Sequence, residues 1–148
     1  MPKSKQKIEL IRFRTDDASL FDKARIIRTE VFVIEQKVEN NLEFDGLDID
    51  CIHYLAVVDD NQAGTARWRE TQIGCKLERF AVLKEYRGIG VGDALLDSVL
   101  KEAKPLSRTI YLNAQDVAVR FYEKNNFKII GDSFIEANIV HYKMIYKG

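Results

Sequence analysis

Three glycines at alternate positions, Gly88, Gly90 and Gly92, follow Arg87 and precede a long helical pattern. The first turn of a helix has backbone N–H groups that lack an intrahelical partner, and it lies at the positive end of the helix macrodipole. Because glycine has no side chain, an anion can approach those N–H groups closely. The pattern therefore predicts a phosphate-binding bend, and the alternative is a tight strand-to-helix turn that binds no ligand.

Two common phosphate-binding motifs do not match this glycine bend (residues 87–92). A P-loop has Lys and then Ser or Thr after its last glycine, whereas Gly92 is followed by Asp93 and Ala94. The dinucleotide motif GxGxxG needs a third glycine at its sixth position, and counted from Gly88 that position is Asp93. Neither of these two nucleotide-binding classes is predicted.

The residues around the bend resemble a known family. The GNAT superfamily of N-acetyltransferases has a Q/R-x-x-G-x-G/A signature that is similar to Val82-x4-Arg87-Gly88-x-Gly90-x-Gly92. Further matches cover most of the chain: Arg28-x-x-Val31-Phe32-Val33-x-Glu35-Gln36, Leu112-Asn113-Ala114-Gln115 with Phe121-Tyr122-Glu123-Lys124-Asn125-Asn126-Phe127, and Phe134-x-Glu136 with His141-x-x-Met144. Together they resemble the small bacterial ElaA-like branch of that superfamily.

The resemblance implies an acetyl-CoA-dependent N-acetyltransferase that uses no metal. Its fold has a sheet that splays between the fourth and fifth strands, predicted here at residues 76–82 and 108–112, where the pantetheine arm pairs with exposed backbone. The backbone of the fourth strand would bind the pantetheine, the glycine bend the diphosphate, and two residues would lie near the thioester. The implied binding residues are Phe80, Ala81, Val82, Arg87, Gly88, Ile89, Gly90, Val91, Gly92, Asn113 and Tyr122.

Acetyl transfer to an amine needs two proton transfers. An amine like that of Lys has a pKa of about 10.4 and must lose a proton before it attacks. The departing thiolate, with a pKa near about 8.5, benefits from a nearby proton donor. The family has a tyrosine at the position of Tyr122, which implies a general acid; the alternative is a ring that only packs with Phe121. Because Cys75 is interpreted as a small buried apolar residue, direct attack in a ternary complex is expected rather than an acyl-cysteine route.

The base is less well defined by the sequence. Histone-type relatives have a glutamate on the fourth strand, but Lys76 occupies that position here. Glu78 lies two residues along, on the same face of the strand, and is one candidate. Glu136 and His141 match C-terminal positions of the ElaA-like branch and are the others. Each also has a structural alternative, a solvated carboxylate or a hydrogen-bonded sheet histidine.

The region that would bind the acceptor is acidic. Nine carboxylates lie between Glu30 and Asp60, against the single Lys37. A negative rim here would attract a cationic amine, and the alternative is a solvated acidic loop with no role in binding. The expected substrate is a primary amine on a small metabolite or a protein. The alternative function is a catalytically silent acyl-CoA-binding sensor or scaffold, suggested by Lys76 in place of a base.

Hydrophobic periodicity predicts the elements that position these residues. Helices are predicted across residues 20–34, 86–103 and 117–124, with a loop at 39–50. Strands are predicted at 8–13, 52–58, 64–69, 76–82, 108–112, 127–130 and 139–146. This order predicts the α+β class with an α/β-like centre, a mixed, mostly antiparallel sheet of about seven strands flanked by helices. We expect a single domain over residues 1–148, with a flexible basic arm at 1–7.

Composition limits location and partners. The chain has 23 Lys+Arg and 23 Asp+Glu, so a net charge of zero argues against nucleic acid as a partner. Two isolated cysteines and two histidines argue against a zinc cluster and fit a reducing compartment. The apolar runs fall short of the roughly 18 residues of a membrane span, and no signal peptide is predicted. We therefore expect a cytoplasmic protein without a membrane partner, and leave a homodimer open.

Overall fold

A computed structural model describes residues 6–148, so the predicted arm lies mostly outside the described residues. The strands are β1 Ile8–Phe13, β2 Ile52–Val58, β3 Asn61–Glu70, β4 Gly74–Val82, β5 Thr109–Gln115, β6 Phe127–Ile129, β7 Phe134–Glu136 and β8 Ile139–Tyr146. The helices are α1 Ala18–Arg28, which continues as a π-helical segment Thr29–Glu35, α2 Asn40–Glu43, α3 Val91–Ala103 and α4 Val119–Lys124.

All eight strands form one sheet in the order β1-β2-β3-β4-β5-β8-β6, with β7 paired to β8. The pair β4 and β5 is parallel, and the other pairs are antiparallel. The predicted α+β class with a mixed, mostly antiparallel sheet is therefore confirmed, with β7 as an additional short strand. Within the described residues no helix is long and apolar enough to cross a membrane.

The sheet splays between β4 and β5. These strands pair from Gly74 opposite Thr109 to Leu77 opposite Leu112, and beyond that point β4 pairs with β3 and β5 with β8. At the closed end, a Cβ on Gly74 would clash with the carbonyl oxygen of Thr109, so glycine permits the close approach. At the open end Arg79 has φ +57° at a shift of register with β3, a bulge that bends β4 away.

Apolar clusters cover the two faces of the sheet. On one face, Leu95 and Val99 of α3 pack in the same core as Leu77 of β4. On the other face, Ala24 and Ile27 of α1 pack in one core with residues of β1, β2 and β4. Because side chains alternate along a strand, β4 contributes to both faces, and the splay between it and β5 opens between the two layers of helices.

Three sequence predictions differ from the structure. Helix α3, predicted over residues 86–103, begins at Val91 and not at residue 86. Gly88 and Gly90 have φ of +82° and +94° and cannot continue a right-handed helix. The loop at 39–50 contains the short helix α2. It also buries Glu43 and Asp48, so the alternative of a solvated acidic loop is wrong for these two residues, whereas Glu39 and Asp50 are exposed.

Candidate active site

The splay forms a cleft of about 700 Å³ between the π-helical segment, β4, β5 and α4. Most of the predicted site residues line it: Glu78, Phe80, Ala81, Val82, Arg87, Gly92, Asn113, Tyr122, Glu136 and His141. The remaining four, Gly88, Ile89, Gly90 and Val91, belong to the glycine bend at its edge and do not line the cleft. The structure thus brings residues from four separate segments of the chain to one opening in the sheet.

The glycine bend is shaped by its dihedral angles. Gly88 and Gly90 both have positive φ. At either position no atom of residues 6–148, apart from the adjacent residues, lies within 4 Å of where a Cβ would be. Gly90 is the N-terminal cap of α3 in a left-handed conformation. A Cβ on Gly92 would lie 3.4 Å from the Phe121 ring, so α3 starts close against α4. The bend therefore leaves the first N–H groups of α3 unobstructed, as a phosphate site requires.

Arg87 lies beside this bend with an anionic partner already in place. Its guanidinium donates to both carboxylate oxygens of Glu35, at 2.8 and 2.7 Å, and to the Val82 carbonyl at 3.0 Å. The hydrogen bond from Arg87 lowers the pKa of Glu35. Both side chains are substantially exposed, so Arg87 can exchange this carboxylate for another anion at little cost.

Tyr122 is held at the cleft by other aromatic rings. It is buried on α4 in edge-on contact with Phe80, Phe121 and Phe127, at ring distances of 6.2, 5.0 and 5.6 Å. Its hydroxyl has no hydrogen-bond partner in the part of the chain that the structure describes, and the hydroxyl oxygen keeps some exposure, because no fully buried side-chain oxygen there lacks a partner. Burial raises the pKa of Tyr122 above its ordinary value, which keeps the hydroxyl protonated at neutral pH. Tyr122 thus lines the cleft as a potential proton donor.

Glu78 is fully engaged by cations. One carboxylate oxygen accepts from Arg67 at 2.8 Å, and the other faces Arg69 at 3.1 Å and Lys76 at 3.2 Å. Burial acts to raise the pKa of Glu78, but the charge of Arg67, with Arg69 and Lys76, outweighs burial and lowers it. A carboxylate with a lowered pKa and no unshared oxygen is a weak proton acceptor, which argues against Glu78 as the base.

His141 of β8 and Glu136 of β7 lie together at the cleft. The Nδ1 atom of His141 is 2.7 Å from the carbonyl oxygen of Ile139. Since a carbonyl can only accept, Nδ1 carries the hydrogen of the neutral ring and Nε2 has the lone pair. Nε2 lies 3.7 Å from Glu136, and the ring stacks on Phe134. His141 therefore has a proton-accepting nitrogen in a fixed orientation.

Asn113 and a nearby glutamine pair lie at the open end of β5. Asn113 pairs with Lys143 of β8 and lines the cleft. Two positions further along β5, Gln115 donates to the side chain of Gln36 at 2.7 Å, which ties β5 to the end of the π-helical segment. Gln36 and Gln115 belong to matched stretches of sequence, but no pattern in either stretch indicates this contact, because the residues are 79 positions apart.

Arginines neutralise three of the nine carboxylates that the sequence predicts as a negative rim. Arg28 donates to Glu43 and Asp48, both at 2.7 Å, and Arg67 to Asp48 at 2.8 Å and Asp45 at 2.8 Å. These three carboxylates therefore do not supply the predicted attraction for a cationic amine. The other six carboxylates of the predicted rim are exposed: Glu30, Glu35, Glu39, Asp50, Asp59 and Asp60. The alternative of a solvated loop is also wrong for Glu43 and Asp48, which are buried in these ion pairs.

Cys75 lies away from the cleft. It is completely buried at the closed end of the β4–β5 pair, opposite Ile110. Burial raises the pKa of the Cys75 thiol, so the thiolate needed for an acyl-cysteine route is disfavoured. Within the described residues no group of three or more His, Cys, Asp or Glu side chains is arranged to hold a metal ion.

The fold and the residues of the cleft agree with one protein class. The family model for the acetyltransferase (GNAT) domain matches residues 24–147. The chain belongs to the GNAT family of acetyltransferases, enzymes of the acyltransferase class, which confirms the family predicted from the sequence. The Bacillus subtilis protein described as uncharacterized N-acetyltransferase YjcF is 36% identical over 121 residues, which cover 80% of this chain and 86% of that protein.

Solved structures show the same fold. Escherichia coli ElaA has a TM-score of 0.85 and 24% identity, covering 95% of this chain and all of that one. This confirms the predicted likeness to ElaA at the level of the fold. The PaiA N-acetyltransferase of Thermoplasma acidophilum, solved in complex with coenzyme A, has a TM-score of 0.67 and 18% identity, covering 96% of this chain and 99% of that one.

Proposed function

We propose that this protein transfers an acetyl group from acetyl-CoA to a primary amine by direct attack in a ternary complex, with Tyr122 as general acid. The observation that carries the proposal is the position of the Tyr122 side chain, whose ring is buried and lines the cleft. Its hydroxyl has no hydrogen-bond partner among the described residues and is not fully enclosed by protein, since no fully buried side-chain oxygen there is left unpaired. This hydroxyl is therefore available to an atom of a bound ligand.

The residues of the cleft fit an acyl-CoA. The glycine bend offers N–H groups and Arg87 for a diphosphate. From residue 78 onward, the edge of β4 that faces β5 has no strand partner in the described part of the chain, so its backbone can pair with the amide groups of a pantetheine arm. The solved structure of PaiA, which contains coenzyme A, supports this cosubstrate for the fold. Acetyl-CoA supplies the thioester carbonyl that the amine attacks.

Two residues handle the protons in this proposal. The amine nitrogen bonds to the carbonyl carbon as the carbon–sulfur bond breaks, and Tyr122 donates its proton to the departing sulfur. His141 accepts the proton that the amine loses, through the Nε2 lone pair that its Nδ1 hydrogen bond orients. Glu136, 3.7 Å from Nε2, stabilises the imidazolium that forms. His141 then releases its proton to solvent and Tyr122 takes a proton from solvent, which restores both residues.

Release of the CoA thiol over a panel of primary amines tests the proposal. We expect amine-dependent release in the wild type and strongly reduced release in His141→Gln, which retains a polar side chain. A protein that binds acetyl-CoA tightly but releases no thiol with any amine would instead be the silent acyl-CoA-binding sensor or scaffold. The cytoplasmic location and a homodimeric state stay predictions from the sequence.

A further inference from the structure

Three cations line the wall of the cleft that faces α1. Leu77 packs into the core on the α3 side, so the alternation of β4 directs Lys76 and Glu78 to the other face. Arg69 reaches the same place from β3, and Arg79 projects there from the bulge. About a quarter of each cationic side chain is exposed, at 23% for Arg69, 22% for Lys76 and 24% for Arg79.

The carboxylates on this wall have no oxygen left without a partner. Both oxygens of Glu78 are shared among cations, as described above. One oxygen of Glu43 accepts from Arg28 at 2.7 Å and the other lies 3.2 Å from Arg79. Both oxygens of Asp45 accept from Arg67, at 3.1 and 2.8 Å. A cationic ligand would therefore have to displace an existing partner from every carboxylate here.

The cations, in contrast, keep unused donors. Lys76 has three N–H donors and contacts a single carboxylate oxygen, on Glu78. Arg69 donates through Nε and Nη2, and Arg79 does the same, so the Nη1 groups of both have no hydrogen bond to the described residues. The wall thus offers free hydrogen-bond donors on positively charged groups.

The ion pairs on this wall also leave an excess of positive charge. The connected network has five cations, Arg28, Arg67, Arg69, Lys76 and Arg79, and four carboxylates, Glu43, Asp45, Asp48 and Glu78. It therefore has a net charge of +1, and its most exposed members include the three cations. The other carboxylates that line the cleft are located elsewhere, Glu35 against Arg87 and Glu136 beside His141.

We propose that the acceptor amine carries an anionic group, a carboxylate or a phosphate, which Lys76, Arg69 and Arg79 bind on the α1 side of the cleft. The part that concerns the amine rests on the proposed acetyl transfer. The glycine bend and Tyr122 lie on the α3 and α4 side, and Arg87 reaches from the bend to Glu35. A carrier bound there leaves Lys76, Arg69 and Arg79 to the acceptor. The acceptor class is then amino acids or amino phosphates, not polyamines.

A panel matched in amine and chain length tests this specificity. Each ω-amino acid of two to six carbons is compared with the alkylamine and the diamine of the same length, and 2-aminoethyl phosphate with ethanolamine. We expect kcat/KM, measured by thiol release, to be about 10- to 100-fold higher for the anionic member, as for a charge-assisted hydrogen bond. The amino acid and amino phosphate arms distinguish carboxylate from phosphate.

Variants identify the residues responsible. In Lys76→Met, and separately in Arg69→Gln, the ratio of kcat/KM for the anionic acceptor to that for its alkylamine should fall at least about tenfold. Lys101→Met is the matched control, because Lys101 is exposed on α3 and, among the described residues, pairs only with Asp97. It should leave the ratio unchanged. Thermal unfolding of each variant checks that the protein still folds. An unchanged ratio in folded Lys76→Met and Arg69→Gln would overturn the proposal.

Binding without turnover separates this inference from the proposed function. The same compounds are titrated calorimetrically into the protein saturated with coenzyme A. Tighter binding of the anionic members, lost in Lys76→Met, supports the anion site even if no compound releases thiol, a result that would refute acetyl transfer alone. Equal or tighter binding of alkylamines and diamines refutes the anion site, whatever the turnover.

Discussion

The two walls of the cleft are built from different interactions. On the α3 and α4 side, apolar side chains and aromatic rings surround Tyr122, and the glycine bend contributes backbone N–H groups. On the α1 side, buried guanidinium and carboxylate groups form a connected network around Arg28 and Arg67. Backbone groups and a single hydroxyl suit a carrier with invariant chemistry. Charged side chains in fixed positions suit an acceptor that must be selected among many amines.

The two walls also respond differently to mutation. Removal of an apolar group costs free energy in proportion to the lost contacts. Removal of one charge from a buried network leaves its partners charged and unpaired, which costs more than the pair contributed. The α1 side of the cleft, here called the acceptor wall, is therefore more sensitive to mutation than the α3 and α4 side, here called the carrier wall. The ion pairs of the acceptor wall need not make the fold more stable than apolar residues would.

The largest effect is expected from Arg67→Met. Arg67 is 1% exposed and binds Asp45, Asp48 and Glu78, so the variant leaves three carboxylates short of a partner. We expect the free energy of unfolding to fall by about 3–5 kcal/mol, measured by urea denaturation. Lys101→Met, on the exposed surface of α3, should change it by less than about 0.5 kcal/mol. A similar loss of unfolding free energy in both variants would show that the buried network stabilises the protein no more than an exposed ion pair does.

Tyr122→Phe tests the carrier wall at its reactive end. Since the hydroxyl has no protein partner in residues 6–148, its removal breaks no hydrogen bond of the fold. We expect kcat to fall about 100-fold, as for loss of a general acid, while the Kd for acetyl-CoA changes less than about twofold. Steady-state kinetics and calorimetry measure the two quantities. A parallel loss of kcat and affinity would assign the ring a packing role.

Arg87→Gln tests the other end of the carrier wall. The variant removes a cation that the diphosphate would bind, and we expect the Kd for acetyl-CoA to rise about tenfold. Glu35→Gln is the matched variant, because it removes the carboxylate that occupies Arg87 at 2.7 Å. It should leave affinity unchanged or improve it. Weaker binding in Glu35→Gln would mean that the ion pair positions the bend for the carrier.

Acid should weaken the acceptor wall through the same ion pairs. The pKa of Asp45 is lowered, because bonds from Arg67 and Leu47 outweigh burial, which acts to raise it. A carboxylate whose pKa is lower in the folded chain stabilises the protein above its unfolded pKa of about 3.9 and loses that effect as the pH falls toward the folded value. Wild type should therefore exceed Asp45→Asn in stability at neutral pH, with the difference shrinking below about pH 4. A difference that is independent of pH would contradict this account.

The carrier wall could be predicted from the sequence far better than the acceptor wall. The glycine bend and Tyr122 lie in short local patterns, and β4 and β5 follow from apolar alternation. The burial of Glu43 and Asp48 could not be predicted, because their partner Arg28 lies 15 and 20 residues away and acidic residues are usually exposed. The start of α3 was misplaced because apolar spacing continues through Tyr86, whereas the positive φ of Gly88 and Gly90 delays the helix.

A crystal structure of the protein with acetyl-CoA tests the central claim most directly. We expect the diphosphate to bind the N–H groups of the glycine bend and Arg87, with Glu35 displaced, and the thioester sulfur to lie within hydrogen-bonding distance of the Tyr122 hydroxyl. A carrier bound outside the β4–β5 cleft, or a sulfur remote from Tyr122, would contradict the proposed acetyl transfer.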